Sequence, residues 1–413
     1  MGKDVYEIGE LPPVGEVPAR MHAQLVRPER FGEPSVAIQD EVIEVPEIGP
    51  HEALVAVMAA GVNFNNVWAA RGVPVDVTKG QARWGEPTDF HIVGSDASGV
   101  VWAVGEGVKN VQVGDPVVVH AGQWNPDDPH VLAGGDPGLA ASFRVWGYDS
   151  CWGSFAQFAK VQAHQCLPKA DFLTWEEAAA PTLTGATAYR MLHGWPPHTV
   201  EPGDVVLVWG GSGGLGSLAV QLVKEAGGRA VAVVSSTEKG EYATSLGAVG
   251  YVNRKDFDHW GVPPAWDSPD WKGWFEGAKA FGKAIWDVLG EKRSPRIVFE
   301  HPGQDTIPTS NFVCDRGGMI VICAGTTGYD TMIDVRYLWY MQKRYQGSHL
   351  FNDQQAQAFN DLVTEGKIQT TLGGVYRYEQ AGEVHQLMGD GKLPEGNVAV
   401  LVDAPSEGLT DLP

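Results

Sequence analysis

Seven consecutive residues, Gly210-Gly211-Ser212-Gly213-Gly214-Leu215-Gly216, can do chemistry with backbone alone. So many glycines let the main chain approach a ligand closely. Phosphate suits such a turn, because main-chain N–H groups and the positive end of a helix both attract it. The flanks supply the frame. Val205–Trp209 (VVLVW) reads as a buried strand, and Leu215, Leu218, Ala219, Leu222 and Val223 share one helical face. Gly227-Gly228 stops that helix, and Val231–Val234 reads as the next parallel strand. This is the βαβ unit of a dinucleotide site. The plain alternative is a tight strand–helix turn with no ligand.

The end of the second strand discriminates between dinucleotides. An NAD-preferring site places a carboxylate there for the ribose hydroxyls. This chain reads Ser235-Ser236-Thr237-Glu238-Lys239, and Arg254 follows the third strand. Hydroxyls and positive charge suit a 2′-phosphate, so NADPH is the expected cofactor. Glu238 fits as a carboxylate in the first turn of a helix. Lys239 on its own would be an exposed surface lysine.

The elements that must position this turn fill 413 residues, enough for two or three domains. Hydrophobic content of 43% and charged content of 20% describe an ordinary globular chain. A net charge of −21 argues against nucleic acid or an anionic membrane as partner. Cys151, Cys166, Cys314 and Cys323 form no C-x-x-C pair, so neither a disulfide scaffold nor structural zinc is expected. With no signal-peptide core at the N-terminus and no apolar run long enough to cross a bilayer, a cytoplasmic protein is expected.

Short β-runs fill the first part of the chain: Met21–Val26, Glu52–Ala59, Phe90–Val104, Gly114–His120 and Gly153–Val161. Their spacing predicts a compact β-barrel-like domain. Residues 121–150 read as a long functional loop, and Thr174 to Glu177 as a capping box. Beyond the glycine turn, strands at Gly250–Asn253, Arg296–Glu300, Gly318–Ala324 and Tyr345–His349 alternate with helices. That alternation predicts a doubly wound parallel sheet of about six strands. Residues 254–280 carry Trp260, Trp266, Trp271 and Trp274, an insertion expected to cover a cleft or pack on another subunit. Asn397–Val402 is expected to rejoin the first domain. The domains are therefore 1–185 with 350–413, and 186–349.

The two-domain order and the GGSGGLG turn resemble the medium-chain dehydrogenase/reductase superfamily. Its zinc alcohol dehydrogenases use a GHE motif. The matching stretch here is His91-Ile92-Val93-Gly94-Ser95-Asp96, with Ser95 where the metal-binding histidine would sit, and no four-cysteine lobe is present. Without its ligands a catalytic zinc cannot be held, so the chain resembles the zinc-free branch. GVNFNNVWAA, HIVGSDASGVVWAVG, RVWGYD, LTWEEAAAPTLTGATAYRML, RIVFEHPG, GGMIVICAGTTGYD, DVRYLW and QKRYQGSH are similar to segments of the crotonyl-CoA carboxylase/reductases. The resemblance implies a GroES-like β-barrel catalytic domain with an inserted Rossmann sheet. It also implies NADPH-dependent reduction of an enoyl-CoA, with CO₂ captured on the resulting enolate. A non-carboxylating enoyl-CoA reductase is the alternative.

By the same resemblance, Asn65 donates an amide N–H to CO₂ and His349 makes the second polar contact. Asp149 holds an ordered water, and Tyr148 shields the pocket. Taken singly, Asn65 reads as a helix cap, Asp149 as turn chemistry and His349 as a strand-end histidine. The acidic residue is usually Glu in this family, so Asp149 is one methylene short. Arg336 is expected to meet the CoA phosphates, with Lys343 and Arg344 nearby or forming a solvated basic face. A homo-dimer or homo-tetramer is expected.

Overall fold

A computed structural model describes residues 2–412. The chain forms two compact units. The first comprises Met1–Leu183, Leu350–Gly366 and Thr370–Pro413; the second comprises Thr184–His349 and Lys367–Gln369.

The first unit is built on the strand Glu52–Gly61 (EALVAVMAAG), buried along almost its whole length. Apolar residues occupy consecutive positions because both faces of this strand are covered. It pairs antiparallel with Ala97–Val104, Phe158–Gln162 and Asn397–Leu401. The chain thus returns more than 330 positions later to complete the sheet, with Ala399 opposite Gly61. Gly61 has no room for a side chain, since a Cβ there would lie 2.7 Å from Asp96 Cβ and 2.8 Å from Ala179 O. A second sheet joins Gln39–Glu44, Arg20–Val26 and His91–Ile92.

Residues 121–150 are not structureless. They contain the short strand pair Gly122–Gln123 and Arg144–Val145 and a helical turn Pro129–Leu132. Asp128 and Asp136 accept from His130 N and Gly138 N, both at 2.9 Å, so side-chain caps hold this segment. The capping box is present as well: Glu177 N donates to Thr174 Oγ1 at 3.3 Å and Thr174 N to Glu177 Oε2 at 3.0 Å.

The second unit is a six-stranded parallel sheet. Its spatial order is Gly250–Asn253, Arg229–Val234, Val205–Trp209, Ile297–Glu300, Met319–Ile322, Arg344–Gly347. Strand order reverses between Val205–Trp209 and Ile297–Glu300, and ligands of open α/β sheets bind at such a crevice, beyond the strand C-termini. The Trp-rich segment belongs largely to this unit's own core. It leads into the helix Trp271–Leu289, where Phe281 stacks on Trp209 at 5.5 Å between ring centroids. Trp274 is buried and Trp260 packs edge-on to Trp209, whereas Trp266 is exposed. No helix among the described residues is long and apolar enough to cross a membrane.

Candidate active site and nucleotide site

The glycine turn is shaped by what its residues cannot carry. A Cβ on Gly216 would sit 2.1 Å from Gly210 O, and one on Gly211 would sit 2.7 Å from Ala232 Cβ. Gly210 has φ 61°, and a Cβ there would meet His301 Nε2 at 2.5 Å. These three glycines let helix, strand and turn close on one another. Gly213 differs: its nearest neighbour is 3.7 Å away, and it precedes the helix Gly214–Glu225 without a capping side chain. An anion would complete that helix end. Ser212 is buried within the turn, and Leu215 is half-buried in the first helical turn.

Sheet register sets the next contacts. Val234 pairs with Asn253, so Ser235 and Arg254 each stand one residue beyond paired positions on neighbouring strands. Arg254 is exposed. Ser236 caps the helix Thr237–Ser245, accepting from Lys239 N at 3.4 Å. Glu238 folds back on this cap, and its own backbone N–H and the Ser236 hydroxyl hold its carboxyl below the usual range.

One strand across, Glu300 ends Ile297–Glu300 fully buried. Its carboxylate accepts from Ser310 Oγ at 2.7 Å and Thr306 Oγ1 at 2.9 Å, and Trp209 Nε1 donates to Ser310 Oγ at 2.9 Å. Burial outweighs these bonds and raises the carboxyl pKa to about 7. Burial likewise lowers the adjacent His301 to about 4.

In the first unit, Asn65 does not cap its helix. The helix Phe64–Arg71 begins after Asn63, and Asn65 lies in its first turn. Asn65 Nδ2 donates to Ser95 Oγ at 2.8 Å, while its Oδ1 is buried with no hydrogen-bond partner. Asn63 Nδ2 donates instead to Asp96 Oδ2 at 2.9 Å, and Leu183 N to Asp96 Oδ1 at 2.7 Å. Asp96 is fully buried, which raises its pKa despite those donors.

The Tyr148–Asp149 loop is in backbone contact with the same turn. Gly147 has φ 68°, and a Cβ there would fall 1.8 Å from Gly94 O. His91 Nε2 lies 3.1 Å from Gly147 O, and Asn66 Oδ1 accepts from Gly94 N at 3.1 Å. Glu86 clamps both ends of the loop, bonding Arg144 Nη1 and Cys151 N at 2.8 Å each. Tyr148 packs against the core. Asp149 Oδ2 accepts from Val145 N at 2.8 Å, so one carboxylate oxygen stays inside its own turn. Asn65, Tyr148 and Asp149 thus share one small region. His349 belongs to the second unit, exposed and two residues past the strand Arg344–Gly347.

Two domain families match this chain: the alcohol dehydrogenase GroES-like domain over residues 49–171 and the zinc-binding dehydrogenase over residues 214–365. The chain is 51% identical over 407 residues to the crotonyl-CoA carboxylase/reductase of Cereibacter sphaeroides, covering 98% of this chain and 93% of that one. It is 40% identical to a crotonyl-CoA reductase of Streptomyces avermitilis, covering 92% and 85%. Among solved structures, the crotonyl-CoA carboxylase/reductase AntE in complex with NADP superposes with a TM-score of 0.94 at 51% identity, covering 98% and 100%. The 2-octenoyl-CoA carboxylase reductase CinF, in complex with NADP and 2-octenoyl-CoA, gives 0.87 at 36%, covering 96% and 90%.

The chain belongs to the crotonyl-CoA carboxylase/reductase family.

Within this family frame the expected basic cluster needs correction. Lys343 is buried, and its ammonium donates to the carbonyls of Asn311 and Phe312, near the end of the helix Ile307–Val313. Burial lowers its pKa. A cation capping helix carbonyls is a structural device. Arg344 reaches Trp195 O and Pro196 O at 3.4 and 3.3 Å, tying down a loop of its own unit. Of the three, only Arg336 is exposed, paired with Asp334 through two donors and lying over the rings of Trp266 and Trp271.

The described residues also hold one set of metal-ligand types, His120, His164 and Asp353. Its ring nitrogens are already engaged. Gly122 N donates to His120 Nδ1 at 3.1 Å, and His120 Nε2 faces Asp353 Oδ1 at 2.8 Å in a contact of poor hydrogen-bond alignment. His164 bonds Asp353 Oδ1 at 2.9 Å and Gln162 Oε1 at 2.8 Å. Burial pushes the Asp353 carboxyl up, but the two histidines beside it outweigh burial and lower it to about 2.

Proposed function

We propose that this protein catalyses NADPH-dependent reductive carboxylation of an α,β-unsaturated acyl-CoA of the crotonyl-CoA type. The product is an alkylmalonyl-CoA such as ethylmalonyl-CoA. The observation that carries this reading is the Asn65 amide beside the Gly94–Ser95 turn: Ser95 Oγ holds one end, the other buried end lacks a partner, and a turned amide would offer its N–H there. A buried polar atom left unpaired is costly and points to a missing guest.

NADPH, when bound, supplies a hydride to the β-carbon of the substrate. The cradle at Gly210, Ser212, Gly213, Gly214, Leu215 and Gly216 would hold its pyrophosphate, and Ser235, Ser236, Lys239 and Arg254 its 2′-phosphate. The residues fit, because a Cβ at Gly210, Gly211 or Gly216 would fill the space the turn needs, while Gly213 faces open space. Arg336 would leave Asp334 to meet the CoA phosphates.

Reduction at the β-carbon leaves an electron pair on the α-carbon and thioester oxygen. That pair forms the new C–C bond with CO₂, and no proton is consumed. A proton donor near the α-carbon would divert the same pair into a C–H bond and give the merely reduced acyl-CoA. The site must therefore offer CO₂ hydrogen bonds from weak acids only. Asn65 supplies an amide N–H, His349 the second contact, Asp149 a held water, and Tyr148 a shield.

A second reading, reduction without carboxylation, is favoured by Asp149. Its carboxylate is one methylene short, and one oxygen is spent on Val145 N. We take carboxylation to be retained but leakier than in Glu-bearing relatives. NADPH oxidation with crotonyl-CoA, with and without bicarbonate, tests both readings. No oxidation would sink the enzyme reading, and butyryl-CoA alone at saturating bicarbonate would sink the carboxylase.

A homo-dimer or homo-tetramer is part of the proposal. Its support is the edge strand Arg344–Gly347 and a groove of about 1410 Å³ lined by Ile285, Trp286, Phe312, Tyr337 and Trp339. Sedimentation of a Trp339→Glu variant tests it. A cytoplasmic location belongs to the same reading and is supported by four cysteines that are all unpaired thiols.

A further inference from the structure

Ser95 is fully buried, and its hydroxyl is 2.8 Å from Asn65 Nδ2. The Asn65 amide has two ends of nearly equal size, and a hydroxyl can serve either one. With Nδ2 toward Ser95, the buried Oδ1 is left without a partner. With the amide turned, the Ser95 O–H donates to Oδ1, and Nδ2 takes the unpartnered place with N–H groups to offer. Two more buried polar atoms flank this turn without partners: Asn66 Nδ2, on the next helical residue, and Ser154 Oγ, against Gly94. The region is prepared for a guest.

The guest's chemistry decides which arrangement is satisfied. Water can donate, so it serves an outward Oδ1. CO₂ only accepts, so it needs an outward Nδ2. We propose that Ser95 is a positioning residue: its hydroxyl sets which end of the Asn65 amide faces the reacting atoms. Donating to Oδ1, Ser95 holds the amide N–H outward for CO₂. Deprived of that donor, the amide rests with its carbonyl outward and retains water, a proton source. This rests on the assignment of Asn65 to CO₂ given above.

The test compares Ser95→Ala, Ser95→Cys and Ser95→Thr with Asn65→Ala and the Asn65→Ala/Ser95→Ala pair. Each is assayed with NADPH and crotonyl-CoA over a bicarbonate series, and both acyl-CoA products are quantified. Ser95→Ala should lower the ratio of carboxylated to reduced product about tenfold, the worth of one hydrogen bond. The bicarbonate-free rate of NADPH oxidation and the KM for NADPH should stay within about twofold. Ser95→Cys keeps the volume with a weak donor and should match Ala. Ser95→Thr keeps the hydroxyl and should restore the ratio.

The pair should be no worse than Asn65→Ala alone, because Ser95 acts only through that amide. An unchanged ratio in both Ser95→Ala and Ser95→Cys, or additive losses in the pair, overturns the proposal. If Asn65→Ala shifts the ratio and the Ser95 variants do not, the Asn65 assignment survives and only the Ser95 role falls. If Asn65→Ala leaves the ratio unchanged, both fall.

Discussion

Replacing Glu300 with Gln tests the electrostatics beside the glycine turn. The Glu300 carboxyl is fully buried, with a pKa near 7 against an ordinary 4.5. The unfolded chain therefore gives up this proton well before the folded chain does. Between those values the folded state binds more protons, so stability falls as pH rises through the window and levels off above it. Integrated from pH 5 to pH 8, the loss from this one group is about 2 to 3 kcal/mol. Gln resembles the neutral acid and has no such dependence. Asp403, raised to about 7 by its own burial, acts in the same direction but is common to both proteins and cancels. Urea denaturation followed by tryptophan emission at pH 5 and pH 8 reads the difference, Trp209 being a direct reporter through Ser310. The Gln variant should gain about 2 to 3 kcal/mol on the wild type between the two pH values. A difference that changes by less than about 1 kcal/mol would refute the reasoning, since one pKa unit is already that large.

Four further outcomes follow from the geometry. Asp149→Glu should raise the ratio of carboxylated to reduced product, measured by chromatography of the acyl-CoAs; an unchanged ratio ends the idea that the short carboxylate leaks protons. Gly216→Ala should weaken NADPH binding about tenfold or more in fluorescence titration, because its Cβ would press on Gly210 O and force helix and turn apart. Lys343→Met should cost about 1–3 kcal/mol of stability in denaturation, yet leave the KM for acyl-CoA unchanged, because its ammonium serves helix carbonyls. Asp353, with its pKa depressed to about 2, stabilises the fold above the ordinary carboxyl pKa and loses that contribution as pH falls from about 4 to 2. Asp353→Asn should erase roughly 1 kcal/mol of acid sensitivity in that window, the partly exposed side chain being screened by solvent.

The sequence revealed most where burial is two-sided. Parallel strands such as Val205–Trp209 and Ile297–Glu300 are buried throughout, so apart from the terminal Glu300 their residues are apolar and easily read. The glycine turn was legible for a related reason: steric demand at Gly210, Gly211 and Gly216 leaves no other residue type. Residues 121–150 were misread because Asp128 and Asp136 build that segment through local caps, which leave no periodic trace. Lys343 and Arg344 lie close to Arg336 in sequence, but proximity along a chain does not fix direction, and both turn to backbone carbonyls. The partnership of Asn65 with Ser95 spans thirty positions and two elements. Ser95 was read only for the histidine it replaces, and nothing in its flanks announces a hydrogen bond to Asn65.

The closing of the first sheet by Asn397–Leu401 orders events in time. On the ribosome, the second unit is almost contiguous, Thr184–His349, and its parallel sheet can assemble once that stretch has emerged. The strand Glu52–Gly61 is made far earlier, and Phe158–Gln162 covers one of its edges only from Glu52 to Ala56, so the Ala59–Gly61 end of that edge has no partner until Asn397–Leu401 is synthesised. An apolar strand edge waiting through more than 330 residues of synthesis is open to foreign pairing. Newly made chains therefore pass through a stage in which the half destined for catalysis is the vulnerable one. Losing the last strand would harm yield before it harmed any step of the reaction.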